Sequence, residues 1–208
     1  MTDPHPDLER WNRKFDRPDH VFGEDPNVFL VEQAAALPPG RALAVADGEG
    51  RNGVWLAGQG WDVRSFDLSP VGIAKARALA KRRGVVLALE QADAHAWDYP
   101  EAAFDLVIDI FTQFSNSATR PLKWNGMIRA LRPGGTLIVV GYTPDQPAYG
   151  TGGPKDPDHL YTAPLLRRAF DGLRIVTLEE GVRDLREGPG HSGRSAVIGM
   201  VACKPGRA

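Results

Sequence analysis

A glycine-rich turn followed by a carboxylate is the feature of this sequence that is best equipped for chemistry. Residues 43–53 read LAVADGEGRNG, and a second apolar run over 63–66 ends at Asp67. Glycine permits a sharp turn and a close approach of the backbone to a ligand, and the free N–H groups of the following helix carry partial positive charge. Asp67 lies 17 residues beyond Gly50, where an acid can accept hydrogen bonds from a ribose. The spacing therefore predicts a site for a nucleoside-containing cofactor.

The elements that must hold this site follow from an alternation of apolar runs and helical patterns. The alternation predicts helices over 29–37, 51–59, 70–83, 121–131 and 164–170, and strands over 41–46, 62–67, 85–89, 104–111, 136–141, 173–178 and 195–202. Such an order indicates an α/β fold with a mostly parallel sheet. About 16 polar and glycine-rich residues without a convincing helix separate the last two strands. We therefore expect these two strands to form an antiparallel pair.

Length, charge and cysteine content limit the function classes. The 208 residues suit one domain, and 25 basic against 26 acidic residues leave a net charge of -1, so nucleic acid is not an expected partner. The single cysteine, Cys203, excludes an intramolecular disulfide and is compatible with a reducing compartment. The sequence shows neither a signal-peptide pattern nor an apolar stretch long enough to span a membrane. We therefore expect a cytoplasmic protein that does not bind membranes.

The glycine turn fits two cofactors. Gly48, Gly50 and Gly53 match the dinucleotide pattern G-x-G-x-x-G between a strand and a helix, which favours a nicotinamide-dependent oxidoreductase. That class is opposed by the lack of a Tyr-x-x-x-Lys pair and of a separate substrate domain. The alternative is S-adenosylmethionine (SAM), with its methionine part in the turn and its ribose on Asp67. Asp93, which follows the third predicted strand, can then accept the adenine amino group.

The chain resembles the class I SAM-dependent methyltransferases, and within them the bacterial small-molecule branch related to tellurite-resistance and thiopurine methyltransferases. The resemblance runs from about Trp11 to Lys204, and it is carried by residues 48–52, 67–70, 93, 104–107 and 132–135. It implies a Rossmann-like, doubly wound sheet of seven strands, and methyl transfer from SAM to a small molecule by in-line displacement. Ala44 and Ala46 stand where the family often has an acid and a glycine, which keeps a non-catalytic SAM-binding protein as a further alternative.

The resemblance and the strand ends together predict the residues of the donor site. The predicted donor-binding residues are Asp47, Gly48, Gly50, Arg51, Asn52, Asp67, Leu68, Asp93, Ala94, Ile110 and Phe111. Asp47 is expected to make some of the polar contacts of the acid that the family often has at the position of Ala44. Residues 1–28, which are polar but carry aromatic side chains, are expected to form a lid-like segment, with residues 29–208 as the methyltransferase domain.

The acceptor side is predicted from residues near the same edge of the sheet. His191 is the first candidate for a general base, because a neutral imidazole can take a proton near pH 7; the alternative is a surface-loop histidine held by backbone carbonyls. Tyr142 is the second catalytic candidate. Candidate acceptor contacts are Trp11, Phe114, Gln146 and Tyr149. The other histidines lack the spacing of a zinc site, so no metal is expected.

Overall fold

The computed structural model describes residues 5–206; residues 1–4 of the predicted lid-like segment and residues 207–208 lie outside the described residues. The helices are α1 (Leu8–Phe15), α2 (Val28–Ala34), α3 (Arg51–Gly58), α4 (Pro70–Arg83), α5 (Arg120–Ala130) and α6 (Ala163–Ala169). The strands are β1 (Arg41–Val45), β2 (Asp62–Asp67), β3 (Ala88–Gln91), β4 (Phe104–Ile110), β5 (Leu131–Tyr142), β6 (Arg174–Arg186) and β7 (Ser192–Cys203). Two short 3-10 turns, Gln146–Ala148 and Pro157–His159, follow β5.

The seven strands form one sheet in the order β3-β2-β1-β4-β5-β7-β6. The first five strands are parallel, and β7 runs antiparallel to both β5 and β6. The chain reverses its direction of winding between β1 and β4, which is where open α/β sheets bind ligands at the carboxyl ends of their strands. The predicted Rossmann-like sheet with its antiparallel final pair is confirmed.

The central strands are buried on both faces because their side chains alternate between two apolar layers. Leu43 and Val107 pack with α5 and α6 on one face, whereas Ala42 and Leu106 pack with α2 on the other. Helices that cover both faces of a parallel sheet require such nearly continuous apolar runs. The apolar runs of β1 and β4 are therefore a consequence of their central position.

Local signals fix the ends of α4, the helix that follows Asp67. Ser69 caps its start, since the hydroxyl accepts a hydrogen bond from Gly72 N at 3.2 Å, and Pro70 occupies the first turn. Gly84 ends the helix in the left-handed conformation, with φ of 67°. Both features agree with the sequence prediction.

Four predicted segments are wrong in extent. The helix predicted over 29–37 ends at Ala34. The third strand begins at Ala88 rather than residue 85, because Val85 N still bonds Ala80 O at the end of α4. The fifth begins at Leu131 rather than residue 136, across an irregularity in its pairing with β4. The predicted loop between the last two strands is mostly a ladder of β6 with β7, since their pairing continues to Arg186 and Ser192. Edge strand β6 has a polar, partly exposed sequence, which hides its periodicity.

Among residues 5–206, no helix is both long enough and apolar enough to cross a membrane.

Candidate functional site

The turn after β1 is held in left-handed backbone conformations. Ala46, Gly48 and Gly50 have φ values of 48°, 58° and 87°. Ala46 is the position at which the resemblance expects a glycine, and a side chain in this region costs about 1–2 kcal/mol. Gly50 is the N-cap of α3, and a Cβ on it would lie 2.5 Å from Ala76 Cβ. The turn therefore packs tightly against α4.

Asp47 stabilises this turn through hydrogen bonds of its side chain. Its Oδ2 accepts hydrogen bonds from Gly53 N at 2.9 Å and from Ser65 Oγ at 3.3 Å. Burial raises the pKa of Asp47 to about 7, against the opposing effects of the Gly53 hydrogen bond and of Arg51. Asp47 thus supplies polar contacts between the turn, α3 and β2, and it also lines the cavity at this edge of the sheet.

Asp67 closes the other side of the turn. Its two carboxylate oxygens accept hydrogen bonds from Gly48 N at 2.9 Å and from Ser69 N at 2.8 Å. Burial raises the pKa of Asp67 to about 6, opposed by these two backbone hydrogen bonds. The carboxylate is thereby oriented by the backbone on both sides before any ligand binds.

A cavity at the carboxyl ends of the parallel strands collects the predicted donor-binding residues. Ten of the eleven line it: Asp47, Gly48, Arg51, Asn52, Asp67, Leu68, Asp93, Ala94, Ile110 and Phe111. Gly50 is the exception, because it faces Ala76 instead of the cavity. We call this the donor cavity.

The segment that precedes α2 covers the donor cavity. Trp11, Phe15 and Phe22 line it, with Trp11 and Phe15 stacked at 5.5 Å between ring centroids. Glu49, which lies in the turn, holds the segment: its Oε2 accepts from Val21 N at 2.8 Å, and its Oε1 pairs with Lys75 Nζ at 2.6 Å. Glu49 was not predicted from the sequence, because a contact to a chain segment 28 residues away leaves no local pattern.

A buried ion pair joins the turn to the end of β6. Arg51 Nη2 lies 2.7 Å from Glu187 Oε2, and both side chains are nearly inaccessible. Asn27 Nδ2 donates to the other oxygen of Glu187 at 2.8 Å, and Asn27 N donates to Asn52 Oδ1 at 2.9 Å. The side chains of Arg51 and Asn52 therefore contact the segment that precedes α2 and the connection between β6 and β7. Glu187 was not predicted as part of the site.

The end of β4 is built on a buried lysine. Lys123 Nζ donates to Asp109 Oδ1 at 3.0 Å and to Thr112 O at 2.9 Å, and Trp124 Nε1 donates to Asp109 Oδ2 at 3.1 Å. Burial lowers the pKa of Lys123. Phe111, two residues after Asp109, has a φ of 55°, which is strained for a bulky side chain. The buried pair thus anchors a strained residue that lines the donor cavity.

His191 lies in the connection that leads into β7. It is buried, which contradicts the alternative of a surface-loop histidine, and it lines the donor cavity. Its ring centroid is 4.4 Å from that of Phe22 and 4.5 Å from that of Phe111. Burial, followed by repulsion from Arg51 and Lys14, lowers the pKa of His191 well below 6.5. His191 is therefore neutral near pH 7, and its role as a base stays a prediction.

The remaining predicted acceptor residues divide into two groups. Trp11 and Phe114 line the donor cavity, and Tyr142 lines a second cavity beside it. Gln146 and Tyr149 line neither. The amide of Gln146 is consumed within the fold, since Oε1 accepts from Ala196 N at 2.8 Å and Nε2 donates to Gly152 O at 3.0 Å. The structure thus does not bring Gln146 and Tyr149 to the site.

Two histidines that spacing could not associate meet at Asp93. His5 Nε2 lies 3.5 Å from Asp93 Oδ2, and His95 Nδ1 lies 3.2 Å from Asp93 Oδ1. This arrangement has the ligand types of a metal site. Asp93 is also the predicted adenine contact, however, and His95 Nε2 is already within 2.7 Å of Ser115 Oγ. The expectation that no metal binds remains a prediction.

Residues 42–135 match the profile of a protein family described as "Methyltransferase domain". The match begins in β1, contains the glycine turn, Asp67 and Asp93, and ends in the first part of β5. Over these residues the chain is similar to methyltransferases. The resemblance to methyltransferases is confirmed for this part of the chain.

Two of the curated relatives that match this chain carry a methyltransferase name. The demethylmenaquinone methyltransferase of Thermus thermophilus is 34% identical over 116 residues, which cover 55% of this chain and 52% of that protein. The protein of the same name from Deinococcus radiodurans is 33% identical over 120 residues, covering 57% and 48%. The chain spans about half the length of these relatives.

Solved structures share the fold of this chain over most of its length. The N-methyltransferase NodS of Bradyrhizobium japonicum, in complex with S-adenosyl-L-homocysteine (SAH), superposes with a TM-score of 0.73 at 13% identity and covers 97% of this chain and 100% of its own. TehB from Haemophilus influenzae has a TM-score of 0.69 at 20% identity, covering 84% and 61%. At these identities the likeness establishes the fold.

Proposed function

We propose that the protein is a SAM-dependent methyltransferase that acts on a small molecule. The observation that carries this proposal is the donor cavity, which joins the glycine turn, the carboxylate of Asp67 and Asp93 at one edge of the sheet. The family match over residues 42–135 and the names of the curated relatives support it. A small acceptor is favoured because the balanced charge of the chain does not suit a nucleic acid.

Each part of the cavity has a task in this proposal. Asp67, with both oxygens already oriented, would accept the ribose hydroxyls, and Asp93 would accept the adenine amino group. SAM supplies an activated methyl group, so the chain's own residues have to align the reactants and exclude water. Such alignment contributes about 7–11 kcal/mol at best. The aromatic cover formed by Trp11, Phe15 and Phe22 suits the exclusion of water.

We also propose that residues 5–27 act as a lid. They cover the donor cavity, and polar contacts with Glu49, Lys75 and Glu187 join them to the body. Donor entry would require this segment to separate from the turn, and closure would restore the dry pocket. A cytoplasmic location is part of the proposal, since the single free Cys203 suits a reducing compartment.

The nicotinamide alternative has no support from the family match or the relatives. Its fingerprint requires the second glycine to give the backbone an open approach to a pyrophosphate. That glycine, Gly50, is packed against Ala76 and does not line the donor cavity.

Calorimetric titration with SAM, SAH and NAD⁺ tests the donor. We expect SAM and SAH to bind and NAD⁺ not to bind. Asp67→Ala should weaken SAH binding about tenfold to 150-fold, because hydrogen bonds to a charged group contribute about 1.5–3 kcal/mol. Asp62→Ala, at an exposed position of the same strand, is the matched control. Equal SAH affinity of Asp67→Ala and wild type would exclude the proposed ribose site.

Formation of SAH from SAM in the presence of thiols, amines, phenols and metalloid oxyanions then tests catalysis. An enzyme produces SAH with at least one acceptor class, above the rate without acceptor. Tight SAM binding with no turnover across the panel would favour the non-catalytic alternative.

A further inference from the structure

A second cavity opens beside the donor cavity and shares a wall with it. Five residues line both cavities: Trp11, Phe22, Phe111, Phe114 and His191. Four of the five are aromatic, and His191 lies in contact with two of them. A molecule in the second cavity would therefore have an apolar, flat surface to pack against and would face the donor cavity. We call it the acceptor cavity.

The mouth of the acceptor cavity is positively charged. Arg10 and Lys14 from α1 and Lys155 from the loop after β5 line it, against one acid, Asp156. Arg10 pairs with Asp7 at 3.0 Å, whereas neither Lys14 nor Lys155 has a carboxylate within 4.0 Å in the described part of the chain. Lys14 Nζ instead lies 5.1 Å and 4.8 Å from the ring centroids of Trp11 and Phe22. Two lysines are thus available to a ligand.

Two buried polar atoms on the wall of this cavity, Tyr142 Oη and His191 Nδ1, have no hydrogen-bond partner among residues 5–206. Glu187 Oε2 lies 3.9 Å from His191 Nδ1. Buried polar groups are rarely left unpaired, so the hydroxyl of Tyr142 points to a ligand. Burial, followed by the effect of Glu187, raises the pKa of Tyr142 above its ordinary 10. Its hydroxyl is therefore a neutral donor, which suits an anionic oxygen.

We propose that the acceptor cavity binds a small organic anion, and that this anion is the methyl acceptor. Its carboxylate or other oxyanion group lies among Lys14, Lys155 and Tyr142 Oη, and its apolar body packs on the shared aromatic wall. This inference rests on the proposed function, because it names the substrate class of the same site.

The groups around the acceptor cavity account for the bonds and the proton of the methyl-transfer step. A lone pair of the acceptor forms the new bond to the methyl carbon, while the carbon–sulfur bond breaks and its electron pair stays on sulfur. The proton released by a hydroxyl, thiol or amine acceptor passes to the neutral imidazole of His191. Burial is the largest cause of the lowered pKa of His191, and the acceptor's negative group opposes the smaller contribution, which is repulsion from Arg51 and Lys14. Glu187 Oε2, 3.9 Å from His191 Nδ1, acts in the same sense as the acceptor's negative group.

Matched acids and amides test the charge preference. The probes are 4-hydroxybenzoate, 4-mercaptobenzoate and 4-aminobenzoate, their neutral carboxamides, and phenyl phosphate, each titrated into the SAH-bound protein and followed by ligand-observed NMR. We expect at least one acid to bind ten times more tightly than its amide, with an affinity that falls as salt is added. Phenyl phosphate in place of the acids would identify the oxyanion as a phosphate. Equal or tighter binding of every amide would overturn the inference.

Two variants link that preference to named residues. Lys14→Met should reduce the acid-to-amide ratio at least fivefold, whereas Arg13→Met, on the neighbouring residue outside both cavities, should leave it unchanged. Tyr142→Phe should weaken acid binding while raising the melting temperature of the free protein, since it removes a buried, unpaired hydroxyl. A lower melting temperature with unchanged acid binding would assign that hydroxyl to structure and contradict the inference.

The SAH titration distinguishes a failure of the proposed function from a failure of the anionic-acceptor inference. If SAH does not bind, the proposed function fails before any acceptor is tested. If SAH binds and the probes show no charge preference, the donor assignment survives and the anionic acceptor is refuted.

Discussion

Ionisation of Asp47 should make the free protein less stable as the pH rises. Its pKa lies at about 7 in the folded protein against an ordinary value of 3.8, so the folded state holds a proton that the unfolded chain has already released. A raised pKa gives a contribution to stability that is complete below the unfolded pKa and is lost as the pH rises through the folded pKa. The loss therefore falls mainly between about pH 4 and about pH 7.

The size of this effect follows from the two pKa values. A tenfold change in proton affinity corresponds to about 1.4 kcal/mol. Integrated from pH 5 to pH 8, Asp47 should remove about 2–3 kcal/mol from the free energy of unfolding. Asp47→Asn stays uncharged and keeps an acceptor oxygen for Gly53 N, so the variant should not suffer this loss.

Urea unfolding of the SAM-free protein at pH 5 and at pH 8 measures this loss of unfolding free energy. Other groups also titrate here: Asp67 acts in the same sense, and His191, with its lowered pKa, acts in the opposite sense below pH 6.5. Both groups titrate in wild type and in the variant, so the quantity to compare is the difference between the two proteins. Asp98→Asn, at an exposed position, should match wild type. An Asp47→Asn variant with the wild-type pH dependence of stability would show that Asp47 is ionised from pH 5 to pH 8. The predicted loss of stability through Asp47 would then be wrong.

Three further substitutions test the backbone and the core. Ala46→Gly removes the strain of a left-handed alanine, about 1–2 kcal/mol, but glycine makes the unfolded chain more flexible, which costs about 0.4–1 kcal/mol. We therefore expect the melting temperature to rise by about 1–3 °C. A lower melting temperature would contradict strain at Ala46. Lys123→Met leaves Asp109 buried without its cation and should destabilise the protein by about 3–5 kcal/mol in urea unfolding, with partial recovery on adding Asp109→Asn. Gly126→Ala would place a Cβ 2.3 Å from the ring of Tyr99, so a loss of about 1–3 kcal/mol is expected and unchanged stability would show that the ring can move aside.

The elements that local chemistry determines are the ones that the sequence predicts well. Strand β2 is found at its predicted bounds, and α4 begins and ends at the predicted serine, proline and glycine. The extent of β6 was not predictable in the same way, because an edge strand with exposed faces has no continuous apolar run. Its residues Glu179, Glu180 and Arg183 belong to the ladder although their composition resembles that of a loop.

The donor cavity was largely predictable because topology brings the carboxyl ends of parallel strands together. Residues that contribute through distant contacts were not. Arg51 and Glu187 are 136 residues apart in sequence, and nothing near either residue signals the other. His5 and His95 meet at Asp93 for the same reason. Gln146 shows the converse error: its position after β5 suggested a ligand contact, whereas its amide completes the hydrogen bonding of the loop.

The position of β7 has a consequence for biosynthesis. It follows the other six strands in sequence but is inserted between β5 and β6, and Cys203 ends it 61 residues after Tyr142 ends β5. At about 5–20 residues per second, the ribosome leaves the apolar edge of β5 unpaired for about 3–12 s. Such an edge is a template for pairing with other nascent chains. We therefore expect the yield of native protein in cells to depend on chaperones that shield β5 until its neighbour emerges.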